Sequence, residues 1–217
     1  MLSALFLGGL EQIFIKTGFW LKMKDMNIKE RALIIFASIL LIGVFLFPIW
    51  RIDLNAPQYP EGIGLRIWVN KITGANDFDL QNINKLNHYI GMKKIIPEAI
   101  PELKIMPFLI GFLILFGLVA AFLKKKSLVM VWISTIVMMM IIGLYDFYIW
   151  GYDYGHDLNP EAPIKIPGMV YQPPLIGSKQ LLNMNSVSLP DIGAYLIGIS
   201  LLIAVFVLIN RKFIKGK

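Results

Sequence analysis

Apolar residues along this chain gather into long runs rather than alternating with polar ones, and the runs are separated by two polar stretches. Ala32–Trp50, Met106–Leu123 and Leu128–Trp150 each reach 18 or more residues without Lys, Arg or Glu, and the last holds a single acid, Asp146. A fourth run, Ile192–Ile209, follows Pro190 and Asp191 and ends ahead of Arg211 and Lys212. A bilayer core about 30 Å thick demands apolar helices of this length. The pattern predicts spanning helices over about 32–50, 106–123, 128–150 and 192–209, joined by two long connections, 51–105 and 151–191. The opening MLSALFLGGLEQIFIKTGFWLK is apolar but broken by Glu11, Lys16 and glycines, and it lacks the basic start and cleavage site of a signal peptide. Residues 1–24 read as a helix lying on the membrane surface. A start at Met26, just ahead of the first run, is the alternative.

Composition agrees with that pattern. Hydrophobic residues make up 57% of the 217-residue chain and charged residues 16%, with mean hydropathy +0.66, against about 45–50% and 25% in soluble domains. The expectation is an all-α membrane protein, a single membrane domain over 1–217 with four transmembrane helices, two long ordered extracytoplasmic loops and an N-terminal interfacial helix.

Charge then sets the orientation. Lys16, Lys22, Lys24, Lys29, Arg31, Lys124, Lys125, Lys126, Arg211, Lys212, Lys215 and Lys217 all fall in short segments at one set of helix ends. The positive-inside rule places those ends in the cytoplasm of a bacterial inner membrane, with both termini there and both long connections outside. The net charge of +7 follows from helix flanks facing anionic lipid, so no nucleic-acid partner is implied. The absence of cysteine suits an oxidising compartment and leaves the connections without disulfides.

Both histidines and ten of the twelve prolines lie in those two connections. In the first, GANDFDLQNINKLNHYIGMKKIIPEAI predicts a helix: Asp77 or Asp79 caps its start, Leu80, Ile83, Leu86 and Ile90 recur at helical spacing, and Gly91 and Pro97 close it. His88 and Met92 fall about 140° and about 180° from Ile83 around that helix, with Asn84 one turn earlier. A wet helix face explains a histidine by itself, but not a thioether beside it. The second connection has no period and is rich in proline and aromatics, so it is expected to be an ordered loop packed on helix ends rather than a disordered one. It repeats the combination with His156 and Met169.

Imidazole with thioether is the donor set of a soft ion, and copper(I) uses methionine readily. The candidate ligands are His88, Met92, His156 and Met169, with Asp146, Asn84, Asp153 and Asp157 placed to orient them. Zinc is the alternative, through His88, His156 and Asp153 or Asp157. Calcium is disfavoured because Asp77-Phe78-Asp79 is too short for an EF-hand loop. No P-loop, nucleophilic triad or dinucleotide motif is present, and no residue pair suggests a reaction, so no enzyme is expected.

The blocks APQYPEG (56–62), LNHYIGM (86–92), DFYIWGYDYGHDLNPEAPI (146–164) and PGMVYQPPLIGSKQLLN (167–183) resemble those of a small bacterial inner-membrane family found in gene clusters for nitrous-oxide reductase and its copper supply. The resemblance covers nearly all of both connections and little of the spans. It implies a membrane-anchored accessory factor that binds or hands over copper to a periplasmic copper enzyme, with a periplasmic or membrane protein as partner. A docking subunit of a respiratory or maturation complex, without metal, is the competing reading. A transporter is weaker, since Asp146 is the lone ion within a predicted span.

Overall fold

The computed structural model describes residues 25–181 and 183–209. The helix expected over 1–24 lies outside them. Within them the fold is mixed α/β, which corrects the all-α expectation: five α-helices carry a five-stranded antiparallel sheet. The helices are α1 (Ile28–Leu40), α2 (Asp79–Ile90), α3 (Glu102–Phe122), α4 (Lys126–His156) and α5 (Ile192–Ile209); the strands are β1 (Trp50–Ala56), β2 (Tyr59–Ile67), β3 (Ile72–Gly74), β4 (Gly177–Leu181) and β5 (Met184–Pro190).

The sheet, in the order β3-β2-β1-β5-β4, draws on both long connections. Its seam is the antiparallel pairing of β1 with β5, from Trp50 opposite Pro190 to Asn55 opposite Asn185. The cause is written in the residues WRIDLNA. Strict alternation sends Trp50, Ile52 and Leu54 to one face and Arg51, Asp53 and Asn55 to the other. On the apolar face these residues meet Ile67, Leu65 and Ile63 of β2, and α2 lays Ile83 over them to close a core with Ile72 and Ile95. These segments are therefore strands, not loops, because each offers a half-buried pleated face.

Three helices, α3, α4 and α5, are long and apolar enough to cross a membrane, which marks the chain as a membrane protein. The first expected span, 32–50, is not one of them. Its α-helix ends at Leu40, a 3-10 turn covers Leu41–Phe45, and Trp50 already belongs to β1. The backbone must leave the helix before the alternating stretch can pair. The segment expected over 128–150 runs longer, to His156. At 1.5 Å per residue α4 is about 46 Å long and α3 about 31 Å, so the last ten or so residues of α4 rise past the start of α3 into the sheet. There Phe147, Trp150 and Tyr154 pack on the sheet core, stacked in sequence along one helix face.

The helical bundle has its own core around Trp132, Ile34, Leu41 and Ile136. Its far end is fastened at the start of α1. Asn27 and Glu30 form a reciprocal capping box, Met26 N–H donates to the Lys124 carbonyl at 2.7 Å, and the buried Glu30 carboxylate accepts from Lys126 Nζ at 2.6 Å.

Candidate functional site

The helix expected in the first connection is α2, and its stripe is the expected one, with Ile83 and Ile90 buried. Its start differs. The N-cap is Phe78 in the left-handed region, with no side-chain cap; Asp77 does not cap it, and Asp79 instead turns back to accept from the Gly64 and Asn76 N–H groups, each at 3.0 Å. Gly91 ends the helix at φ 82°. A side chain there would be strained by that φ and would press on Ala162 Cβ and the Asn159 carbonyl, each 3.0 Å away.

That tight turn is where the two connections are stitched together. Asn159 N–H donates to the Gly91 carbonyl at 2.8 Å, and Ile164 N–H to Tyr89 at 2.9 Å. Lys93 Nζ reaches Asp153, on the last turn of α4, at 2.7 Å and Asp157, just past its end, at 2.9 Å. The hydrogen bonds to these two carboxylates, Asp153 before Asp157, hold the Lys93 ammonium above its ordinary range.

On the polar face of α2 a groove of about 520 Å³ is lined by His88, Met92, Asn84, Gln81, Lys85, Tyr89 and Lys94. It brings together three of the residues singled out from the sequence: His88, Met92 and Asn84. Among the described residues no hydrogen bond engages the His88 ring, which lies 5.9 Å from the Tyr89 ring. Asn84 is not free to orient a ligand. Its amide donates to the Ile95 carbonyl at 3.0 Å and accepts from the Ile95 N–H at 2.7 Å, tying the outgoing strand of chain back to α2.

His156 and Met169 do not line this groove. His156, the final residue of α4, stacks on Tyr152 at 3.8 Å between ring centres and bonds the Tyr152 carbonyl through Nδ1 at 2.9 Å. A carbonyl only accepts, so Nδ1 carries the hydrogen, and the lone pair of the neutral ring lies on Nε2, which can only accept. Met169 is half-buried, its N–H bonded to the Ile166 carbonyl. Asp153 and Asp157 are spent on Lys93. Asp146 is exposed on α4. Among the described residues no three His, Cys, Asp or Glu side chains gather as a metal-binding group.

The cations of the groove and the Lys93 clasp were not foreseen. Lys93 and Lys94 carry only a helix-end signal in the sequence, and nothing local says that the end of a distant helix will meet them. No protein-family model, curated protein or solved structure matches the chain.

Proposed function

We propose that the protein is a membrane-anchored accessory factor that binds copper(I) at the α2 groove and hands it to a partner protein, which completes the coordination. The observation that carries this reading is that His88 and Met92, four residues apart, line one groove whose lining holds no carboxylate. An imidazole nitrogen with no competing hydrogen bond and a thioether suit a soft ion, whereas magnesium or calcium would need oxygen donors. Two donors hold an ion loosely enough to release it. The lysines at the rim, Lys85 and Lys94, disfavour a highly charged cation and favour a singly charged one. In this reading the bundle lies in a bacterial inner membrane with both termini cytoplasmic, the sheet faces the periplasm, and the family resemblance of LNHYIGM supplies the copper context.

The test is copper(I) titration of the full chain in detergent, under reducing conditions and against a competing chelator. His88→Ala and Met92→Ala should each weaken binding about tenfold or more, and His156→Ala and Met169→Ala should not. Equal binding by the His88→Ala/Met92→Ala double variant sinks the copper reading.

A metal-free docking subunit is the second reading, favoured by a specific observation: Asp153 and Asp157 both bond Lys93 and so hold the two connections together, while Asn84 and His156 are engaged within their own segments. It predicts that a partner co-purifies equally with wild type and with the double variant.

A further inference from the structure

The sheet face turned away from α2 carries charge where β1 leaves the bundle. Arg51 of β1 lies directly opposite Arg66 of β2, and Arg66 opposite Thr73 of β3. Like charges facing each other across antiparallel strands repel unless an anion sits between them. Among the described residues one does: Asp53 accepts from Arg66 Nη1 at 2.6 Å and lies 3.8 Å from Arg51 Nε. Among the described residues Arg51 Nε is out of water and meets no hydrogen-bond acceptor, an uncommon state for a buried donor. Beside this row, Trp68 donates to Thr73 Oγ1 at 3.1 Å, and Lys71 Nζ sits 4.8 Å from the Trp68 ring centre. Among the described residues Asp53 is thus the carboxylate paired with both arginines, and Lys71 adds a third cation beside Trp68.

Their height relative to the bundle is fixed by packing. Val69, between Trp68 and Lys71, is 1% exposed and belongs to the core of the helical bundle, and Ile49, joining the first helical segment to β1, donates its N–H to the Ile67 carbonyl at 2.7 Å. Arg66 lies one residue from Ile67 and Arg51 two residues from Ile49, about 3.3 Å and about 6.6 Å along their strands. A headgroup layer is about 5–8 Å deep on each side of the hydrocarbon. Trp and Lys at its edge are the side chains that such a layer accommodates.

We infer that Arg51, Arg66 and Lys71 form a binding site for a phosphate group at the membrane surface, with the headgroup of an anionic phospholipid as its source. The planar guanidinium fork, exposed in part at both arginines, supplies paired donors to phosphate oxygens. Lipid would then pin the sheet to the bilayer independently of the α2 groove.

The full chain in neutral detergent is titrated with short-chain phosphatidylglycerol, short-chain phosphatidylcholine and inorganic phosphate, reading tryptophan fluorescence and the thermal midpoint. Phosphatidylglycerol is expected to bind saturably and raise the midpoint, weakening as salt rises, with phosphatidylcholine at least tenfold weaker. Arg51→Gln and Arg66→Gln should each cost about tenfold in affinity, while Lys165→Gln, an exposed cation elsewhere, should cost nothing. Should the arginine variants fail to fold, the exposed Lys71→Gln decides, with an expected loss of about threefold. Inorganic phosphate binding as tightly as the lipid keeps the site and overturns the lipid as its source. Unchanged lipid affinity in the variants, or no saturable binding in any arm, overturns the site.

Discussion

Lys93 shows how a residue that looks like punctuation in the sequence becomes a fastener in the fold. Its ammonium joins the segment after α2 to two carboxylates four residues apart at the end of α4, and those two hydrogen bonds raise its pKa. A cation whose folded pKa exceeds its unfolded one stabilises the fold fully below the unfolded value, about 10.4, and loses that contribution as pH climbs through the folded value. All three side chains are more than a third exposed, so water screens the pairs and their coupling should stay below about 1 kcal/mol. The stability gap between wild type and Lys93→Met, followed by denaturant unfolding, should therefore be small, flat from pH 7 to about pH 10, and shrink only above that; a gap that closes by pH 8 would rule out the clasp. At this scale the sequence was legible where chemistry is local. His88 shares a groove with Asn84, because four-residue spacing puts side chains on one helix face, whereas Met92 reaches the same groove from past the Gly91 turn, beyond the end of α2, and not by helical spacing. His156 and Met169 were grouped with them by residue type. Type carries no distance, and His156 instead stacks one turn back on its own helix.

Among elements, the bundle helices were read from length and hydropathy, and α5 falls where expected, over Ile192–Ile209. The strands were missed although WRIDLNA alternates cleanly, because Trp50 also ends an apolar run and a run of that length reads as a span. Helix packing depends on small contacts that no run reveals. At Gly117 of α3 an added Cβ would overlap the Ser38 hydroxyl of α1 and come within 2.8–2.9 Å of the Trp132 indole of α4. Trp132 is fully buried and donates to the Leu113 carbonyl at 2.8 Å, so it cannot yield. Gly117→Ala should destabilise the bundle by about 1–3 kcal/mol through overpacking. Gly111 of α3 and Gly143 of α4 have nothing within 4 Å of such a Cβ. Alanine at either should be neutral or up to about 1 kcal/mol stabilising from helix propensity. Equal effects at the three glycines, measured by unfolding in detergent, would remove Gly117 from the helix contact.

For the whole molecule, the decisive fact is that chain segments more than 120 residues apart share one sheet. β1 leaves the bundle ahead of α3 and α4, β5 returns only after them, and the two pair residue by residue. A pair of engineered cysteines tests that seam directly, since the chain has none of its own. Asn55 faces Asn185 in register, and directly opposed residues of antiparallel strands lie about 4.5–5.5 Å apart at Cα, within the span a disulfide bridges. Asn55→Cys/Asn185→Cys should therefore cross-link under mild oxidation in native membranes, seen as a mobility shift that reductant reverses. Asn55→Cys/Ser186→Cys, one residue out of register, puts the thiols on opposite faces and should not link, because a one-residue slip inverts every side chain of a strand. Cross-linking in the second pair and not the first would mean a shifted register, which would carry Ile52 and Leu54 off the core face. Cross-linking in neither would separate the two connections, and with them the common scaffold that holds the α2 groove against the end of α4.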